Sequence, residues 1–555
     1  MKPTPFLILL QVGLLASLSA AEPTPAFPVS VRVDASHAIG ELKPIWRFFG
    51  ADEPNYAYMK DGSKLLGQLG ELRPHAVYFR THNLLTSGDG TPALKWGSTN
   101  AYTEDAQGRP VYNWTILDRI FDTYLARGVR PYVEIGFMPQ ALSPDTGPYQ
   151  HSWGHTKDAK LNTGWAWPPK DYAKWGELVY QWTKHCVERY GRAEVEQWYW
   201  EVWNEANIPP YWNGTPDEFL KMHDYAVAGV RRALPSARVG GPDSAGPGGK
   251  FMHAFLDHAT RGANAATGGI GGPVDFISFH AKGQPTFVDG HVRMGLANQL
   301  RNINDGFALI ASVPEMKSKP IIIGECDPDG CAACRGPQLG YRNTTMYSSY
   351  TAASFGRIQE LADRHGVNIE GALTWAFTFE DQPWFAGFRQ LASNGVAMPV
   401  LNTFRLLAKM AGQRVAVVSS GGVATDDIIR AGVRAQPDVS GLAAVEPHRL
   451  SVLLWHYHDD DVPGPDAAVS LSLAGVPAKA RVTEYRIDHD HSNAYTAWVA
   501  MGSPSSPTAA QVAALEAASA LATVAAPALS ANESGQSALT LTLPRQAVSL
   551  LVFEW

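Results

Sequence analysis

Trp200-Glu201-Val202-Trp203-Asn204-Glu205-Ala206-Asn207-Ile208-Pro209-Pro210 holds an ionisable carboxylate, Glu205, at the end of an aromatic, strand-like run, with an amide, Asn204, directly before it. Gln197-Trp198-Tyr199-Trp200 leads in as a strand, and Pro209-Pro210 forbids a helix immediately after. Catalytic residues of (β/α)8 enzymes sit where strand gives way to loop. The stretch therefore predicts a barrel strand with an acid at its mouth. Taken alone, such a glutamate is more often a merely exposed charge after a buried strand. An enzyme needs a second carboxylate.

Glu325 supplies it. Lys319-Pro320-Ile321-Ile322-Ile323-Gly324-Glu325-Cys326-Asp327-Pro328 is a short apolar run without alternation, as a strand covered on both faces should be, and it too ends on a glutamate before turn residues. The two glutamates lie 120 residues apart. That is room for about three βα units of a barrel that spends ~250 residues on eight. If Glu205 ends strand four, Glu325 ends strand seven.

Outward from these two runs, similar strand cores recur at Ile45 to Gly50, Ala76 to Thr81, Pro131 to Gly136, Arg238 to Gly241, Val274 to Phe279 and Ala372 to Phe377. With the two glutamate strands this makes eight, alternating with helical patterns. One helix is especially legible: Thr215 as N-cap, Pro216 in the first turn, Glu218 completing a capping box, then apolar Phe219, Met222, Ala226, Val227 and Val230. After about Gly412 the pattern changes to short alternating strands such as Ala538 to Leu543 and Ala547 to Phe553. That is the signature of a β-sandwich, interrupted by a helix around Val512 and Leu515 that Ser506 or Thr508 can cap. The expected fold is α/β, a (β/α)8 TIM barrel with an accessory β-sandwich domain.

The 555 residues exceed a single core, and 45% hydrophobic with 18% charged residues is a globular composition. A net charge of −7 without basic blocks argues against nucleic acid as a partner. Met1-Lys2, the apolar stretch Phe6 to Leu18 and Ser19-Ala20-Ala21 have the form of a secretory signal cleaved near Ala21. Export to a periplasmic or extracellular space is expected, with no membrane span in the mature chain. Of four cysteines, Cys186 falls on an apolar helix face, while Cys326, Cys331 and Cys334 crowd the loop after Glu325. A disulfide stapling that loop is expected, free thiols being the alternative.

The chain resembles glycoside hydrolase family 39, the β-xylosidase and α-L-iduronidase family. Besides the Trp-Asn-Glu segment, the resemblance rests on Val239-Gly240-Gly241-Pro242, on Asp275-Phe276-Ile277-Ser278-Phe279-His280, and on Tyr485-Arg486-Ile487-Asp488 followed by His491-Ser492-Asn493-Ala494-Tyr495 and Trp498. It implies that Pro28 to Asp34 joins the sandwich, dividing the chain into a signal peptide (1–21), an N-terminal sandwich strand (22–40), a catalytic barrel (41–412) and a C-terminal sandwich (413–555). It also implies Glu205 as acid/base and Glu325 as nucleophile of a retaining glycosidase, a chemistry in which two carboxylates in different environments supply a proton and a negative charge. Asn204 would bond the sugar 2-hydroxyl, and His82 and His280, at the ends of strands two and six, would touch substrate or orient Glu325. The expected partner is an oligosaccharide or other glycoside, and no metal or cofactor is needed.

Other residues are read directly. Trp375 on strand eight can floor a sugar pocket or simply pack. The long loop Met138 to Lys170, with Trp153, Trp165 and Trp167, can wall the site or be pinned by those rings. His456, His458 and Asp459 to Asp461 invite a metal, but alternate as solvated strand positions do. The family's xylosidases usually read His-Ala-Tyr-Gly where this chain has His280-Ala281-Lys282-Gly283. The iduronidase branch has a lysine there that binds the substrate carboxylate, and Glu325-Cys326-Asp327-Pro328 is similar to that branch's Glu-Ala-Asp-Pro. Lys282 and Arg389, converging on a pocket, would favour an anionic sugar, whereas Lys282 held in an ion pair would not. The favoured expectation is an exo-acting β-xylosidase on xylo-oligosaccharides. The alternatives are uronide-specific or α-L-arabinosidase activity, and a carbohydrate-binding or transglycosylating protein on the same fold.

Overall fold

In a computed structural model, which describes residues 25–88, 90, 97–145, 164–209, 211–532 and 535–555, eight parallel strands close into one barrel. In chain order they are Phe48–Ala51, Val77–Thr81, Val129–Ile135, Tyr199–Val202, Arg238–Ser244, Phe276–Lys282, Pro320–Asp327 and Asn368–Thr374. The expected signal segment and Trp153 lie outside the described residues. The first strand starts later than its apolar run because Pro44 opens a turn, its carbonyl accepting from Arg47 N–H at 3.2 Å. No helix among the described residues is long and apolar enough to cross a membrane.

Residues two apart on a strand share a face, and the barrel interior is layered accordingly. Phe48, Tyr78, Tyr132, Tyr199 and Phe276 make an aromatic floor, with ring centroids 5.2 Å apart for Phe48 and Tyr78, 4.9 Å for Tyr78 and Tyr199, and 5.3 Å for Tyr199 and Phe276. One step further up the same five strands stand Gly50, Arg80, Glu134, Glu201 and Ser278. A second step reaches Asp52, His82 and His280, and a third reaches Lys282. The strands thus run from an apolar floor to a charged mouth.

The helices follow from their caps and stripes. Thr215 Oγ1 accepts from Glu218 N–H at 3.2 Å and the Glu218 carboxylate accepts from Thr215 N–H at 2.7 Å, opening the helix Pro216–Ala233, which buries Phe219, Met222, Ala226 and Val230. A second capping box, Thr508 with Gln511, opens Ala509–Ser519. Cys186 is buried in the helix Tyr172–Tyr190, and Cys331 is disulfide-bonded to Cys334, leaving Cys326 a buried thiol.

The N-terminal strand and the strands that follow residue 412 form a ten-stranded mixed sheet. Phe27–Glu41 lies in its middle, parallel to Ala467–Ala474 and antiparallel to Gln413–Ser419. Val29, Val31, Val33, Val469, Leu471, Leu541, Leu551 and Phe553 share one core although their strands lie far apart in the sheet order, so the sheet folds over on itself as a sandwich. Trp455, Tyr457 and Leu550 instead join the barrel's core, and Trp455 lies so close to Gly356 of the helix Thr345–His365 that a side chain there would overlap its ring. The two units therefore share a packed boundary.

Thr215→Ala, which removes the cap but no buried apolar group, should lower stability by about 1 kcal/mol. The expected readout is a lower guanidinium unfolding midpoint with unaltered kcat. An unchanged midpoint would mean that the cap adds nothing in the folded protein.

Candidate active site

Arg80 rises from the second strand with no exposed side-chain surface. Its guanidinium meets Glu134 at 2.9 Å, Glu201 at 2.6 Å, and Asp243, donates to Asn204 Oδ1 at 3.3 Å, and lies 3.7 Å from Glu325. Burying a guanidinium costs several kcal/mol unless it is paired and hydrogen-bonded; Glu201, Asn204 and Asp243 accept its hydrogen bonds, and Glu134 and Glu325 add ion-pair contacts, while Nη1 has no hydrogen-bond partner among the described residues. Burial works against its charge, yet Asp243, Glu134 and Glu201 hold its pKa well above the ordinary value. Burial, with Asp243 next, pushes the Glu201 carboxyl up, and Tyr132 donates to it at 2.7 Å.

Glu205 is reached by a sharp turn. Trp203 and Glu205 take positive φ values of 73° and 46°, and Glu205 N–H donates to Asp243 O at 2.9 Å. Such left-handed residues cost about 1–3 kcal/mol each and persist only where their surroundings over-determine them. His280 Nδ1 lies 2.8 Å from Glu205 Oε1 and 3.9 Å from Glu325 Oε2, and its Nε2 lies 2.8 Å from Asp243. The two glutamates thus flank one ring nitrogen. His82 Nδ1 pairs with Glu134 at 2.6 Å while its Nε2 lies 3.4 Å from Glu325 Oε1. Burial opposes both histidines' charge, but Asp243 and Glu325 raise His280 to about 10 and Glu134 raises His82 to about 9. Burial would push Glu325 up as well; Lys282, His280 and His82 outweigh it and hold its carboxyl well below the usual range.

Lys282 is an ion-pair residue. Its Nζ donates to Glu325 Oε2 at 2.5 Å and to Asp327. In register, Glu325 lies beside His280 and Asp327 beside Lys282, so parallel pairing brings these four together. Arg389 departs from the expectation that it faces the sugar. It is buried, its Nε donating to Trp375 O at 3.0 Å and its Nη1 to Asp329 Oδ1 at 2.8 Å, with Asp327 at 3.3 Å. Carboxylates on the adjoining strand and loop draw the guanidinium inward, so it supports Asp327 from behind.

The structure therefore gathers Asn204, Glu205, His82, His280, Lys282 and Glu325 at one end of the barrel. Trp375 stands beside them, 4.2 Å from the His82 ring and 5.2 Å from the Arg80 guanidinium. Gly50 permits this, since any side chain there would overlap the Trp375 ring. Trp165 is fully buried, packed on Phe137 at 4.2 Å and Tyr211 at 5.9 Å, so this ring pins its loop. His456 and His458 bond to the carbonyls of Leu543 and Arg434 in the sandwich. Arg80, Glu134, Glu201 and Asp243 also belong to this site, although the sequence does not single them out as site residues. For Arg80, Glu134 and Glu201 the signal is a charge two residues above an aromatic, as in Tyr78-Phe79-Arg80, Tyr132-Val133-Glu134 and Tyr199-Trp200-Glu201; Asp243, two residues after Gly241, carries no such mark.

A closed parallel barrel with acids and bases converging at its C-terminal strand ends is the arrangement of a (β/α)8 enzyme. The model of Glycosyl hydrolases family 39 matches residues 29–536, and the chain belongs to that family of glycoside hydrolases. It is 27% identical over 400 residues to a beta-xylosidase of Caldicellulosiruptor saccharolyticus, covering 70% of this chain and 72% of the relative. It is also 27% identical over 535 residues to the alpha-L-iduronidase of Homo sapiens, covering 89% and 74% respectively. The crystal structure of the GH39 enzyme from Xanthomonas axonopodis pv. citri shares the fold, with a TM-score of 0.71 at 22% identity over 96% of this chain and 98% of that one.

His280 links this site to stability. Its pKa rises from the ordinary 6.5 to about 10 on folding, so its contribution is full below pH 6.5 and is lost as pH rises through about 10. His82 acts in the same sense. The thermal midpoint of wild type should exceed that of His280→Gln most at pH 6 and converge on it towards pH 10. A gap that stays constant across that range would show a neutral His280 in the folded protein.

Proposed function

We propose that this chain is a retaining, exo-acting β-xylosidase on short xylo-oligosaccharides, with Glu325 as nucleophile and Glu205 as acid/base. The observation that carries the retaining mechanism is the placement of both carboxylates around His280 Nδ1, at 2.8 and 3.9 Å. Their nearest oxygens are no further apart than those two lengths added, a bound that the retaining separation of about 5–5.5 Å satisfies. Glu325, ionised by its three cationic neighbours, attacks the anomeric carbon. Glu205 gives its proton to the leaving oxygen. In the second step Glu205 takes a proton from water, which releases the sugar from the ester. The Glu325 side chain is only 10% exposed, so the bond to be cleaved has to reach a largely enclosed carboxylate.

Charge supports a neutral sugar. Lys282 is shared between Glu325 and Asp327, and Arg389 between Asp327 and Asp329, so each cation beside Glu325 on this side is already matched. The uronide reading keeps in its favour the lysine and the Glu-Cys-Asp-Pro segment noted in the sequence, together with the 15% exposure of Lys282, which lies within reach of whatever sits on Glu325.

Glu325→Ala should abolish turnover of an aryl β-xyloside, with azide partly restoring it by filling the emptied space. Full residual activity would remove the assignment. Glu205→Ala should spare the first step for activated leaving groups while slowing the second, read in single-turnover kinetics. Lys282→Ala separates the substrates: an enzyme for uronides would lose about 1.5–3 kcal/mol, at least tenfold, in kcat/KM on the uronide alone. On the β-xylosidase reading the xyloside is the better substrate in wild type and no such selective loss appears.

A further inference from the structure

Behind Glu325 the charges alternate in sign along a buried line. Lys282 Nζ bonds Glu325 on one side and Asp327 on the other. Asp327 faces Arg389 Nη2 at 3.3 Å, and Arg389 Nη1 donates to Asp329 Oδ1 at 2.8 Å. Arg342 Nη2 donates to that same oxygen at 2.8 Å. Its guanidinium also donates to the carbonyls of Cys331 and Cys334, each at 2.6 Å, inside the turn closed by their disulfide. The four side chains beyond Lys282 are at most 7% exposed, so water screens little of what one exerts on the next.

We propose that Arg389 and Asp329 are positioning residues of the reaction: buried behind Asp327, they act through it to decide how Lys282 divides itself between Asp327 and Glu325. This rests on Glu325 being the nucleophile. Arg389 offsets the charge of Asp327; without it Asp327 claims more of Lys282, and Glu325 becomes harder to ionise. Asp329 draws on Arg389; without it Arg389 turns wholly to Asp327, Lys282 is released towards Glu325, and ionisation becomes easier. Other groups facing Glu325 include Arg80, His82, His280, Asp243, Tyr211 and, across His280, Glu205, and none of them belongs to the line. Arg342 and the disulfide turn anchor its far end.

The alternation makes the test one of sign. In the pH profile of kcat/KM on an aryl xyloside, Arg389→Gln should move the acidic limb up by about one unit, roughly a tenfold loss at the acid end with the plateau less affected. Asp329→Asn should move the limb down, and Arg389→Lys should keep it near wild type. Shifts of the same sign, or a plateau lowered without movement of the limb, would overturn the proposal and leave both residues with a structural role only. Carboxyl-labelled glutamate NMR, with Glu325→Gln assigning the signal, reads the same ionisation without turnover. Wild-type Glu325 titrating at or above its ordinary 4.5 overturns the proposal even where variants do not fold. Activity surviving in Glu325→Ala would instead defeat the nucleophile assignment, while opposite NMR shifts in the two variants would still stand.

Discussion

A guanidinium buried without exposed surface organises this molecule. Arg80 sits one layer above an aromatic floor, where an unpaired ion would cost several kcal/mol, and the carboxylates that offset that cost come from the third, fourth and fifth strands. The dependence runs both ways, because Glu134, Glu201 and Asp243 are fully buried: Glu134 and Asp243 share Arg80 with His82 and His280, and Glu201 has Arg80 as its one ion-pair partner among the described residues. A lysine would not serve, since its single ammonium cannot present a planar fork to three carboxylates and an amide at once.

From Arg80 two relays lead to the mouth. One passes through Glu134, 2.9 Å from Arg80, to His82 at 2.6 Å and on to Glu325 at 3.4 Å. The other passes through Asp243 to His280 at 2.8 Å and on to Glu205 at 2.8 Å. Each interposes a carboxylate between the arginine and a histidine, which is why both histidines take on proton affinity that burial alone would deny them. The two glutamates of the proposed mechanism thus stand at the ends of lines that start from one residue. Their relative placement is set by strand pairing and packing, with only Glu205 resting on a strained turn.

The eight barrel strands were legible because a strand covered on both faces must be apolar throughout, as Ile321-Ile322-Ile323 is. Glu205 and Glu325 stood out as charges ending such runs. Arg80, Glu134 and Glu201 did not, since each interrupts an apolar strand singly, and the 121 residues between Arg80 and Glu201 are bridged only when the barrel closes. Arg389 shows a different limit. Its position just after strand eight was plain, but the direction of its side chain depended on Asp327 and Asp329, which no spacing connects to it. For Lys282 both the pocket cation and the ion pair were read from sequence, and the contacts with Glu325 and Asp327 realise the ion pair.

That ion pair bears on substrate choice. Lys282 does more than His280 or His82 to oppose burial and keep Glu325 ionised. A uronate drawn to the same ammonium would compete with Glu325 for it, and every increment of binding gained there would be taken from the charge of the proposed nucleophile. A neutral pentoside makes no such demand. Its binding would fall to hydroxyl contacts such as Asn204, to His82 and to the Trp375 face, none of which withdraws charge from Glu325. An enzyme for uronides built on this mouth would need a further cation free of carboxylates. Arg389, which sequence reading had put forward for that part, is already bound to two of them.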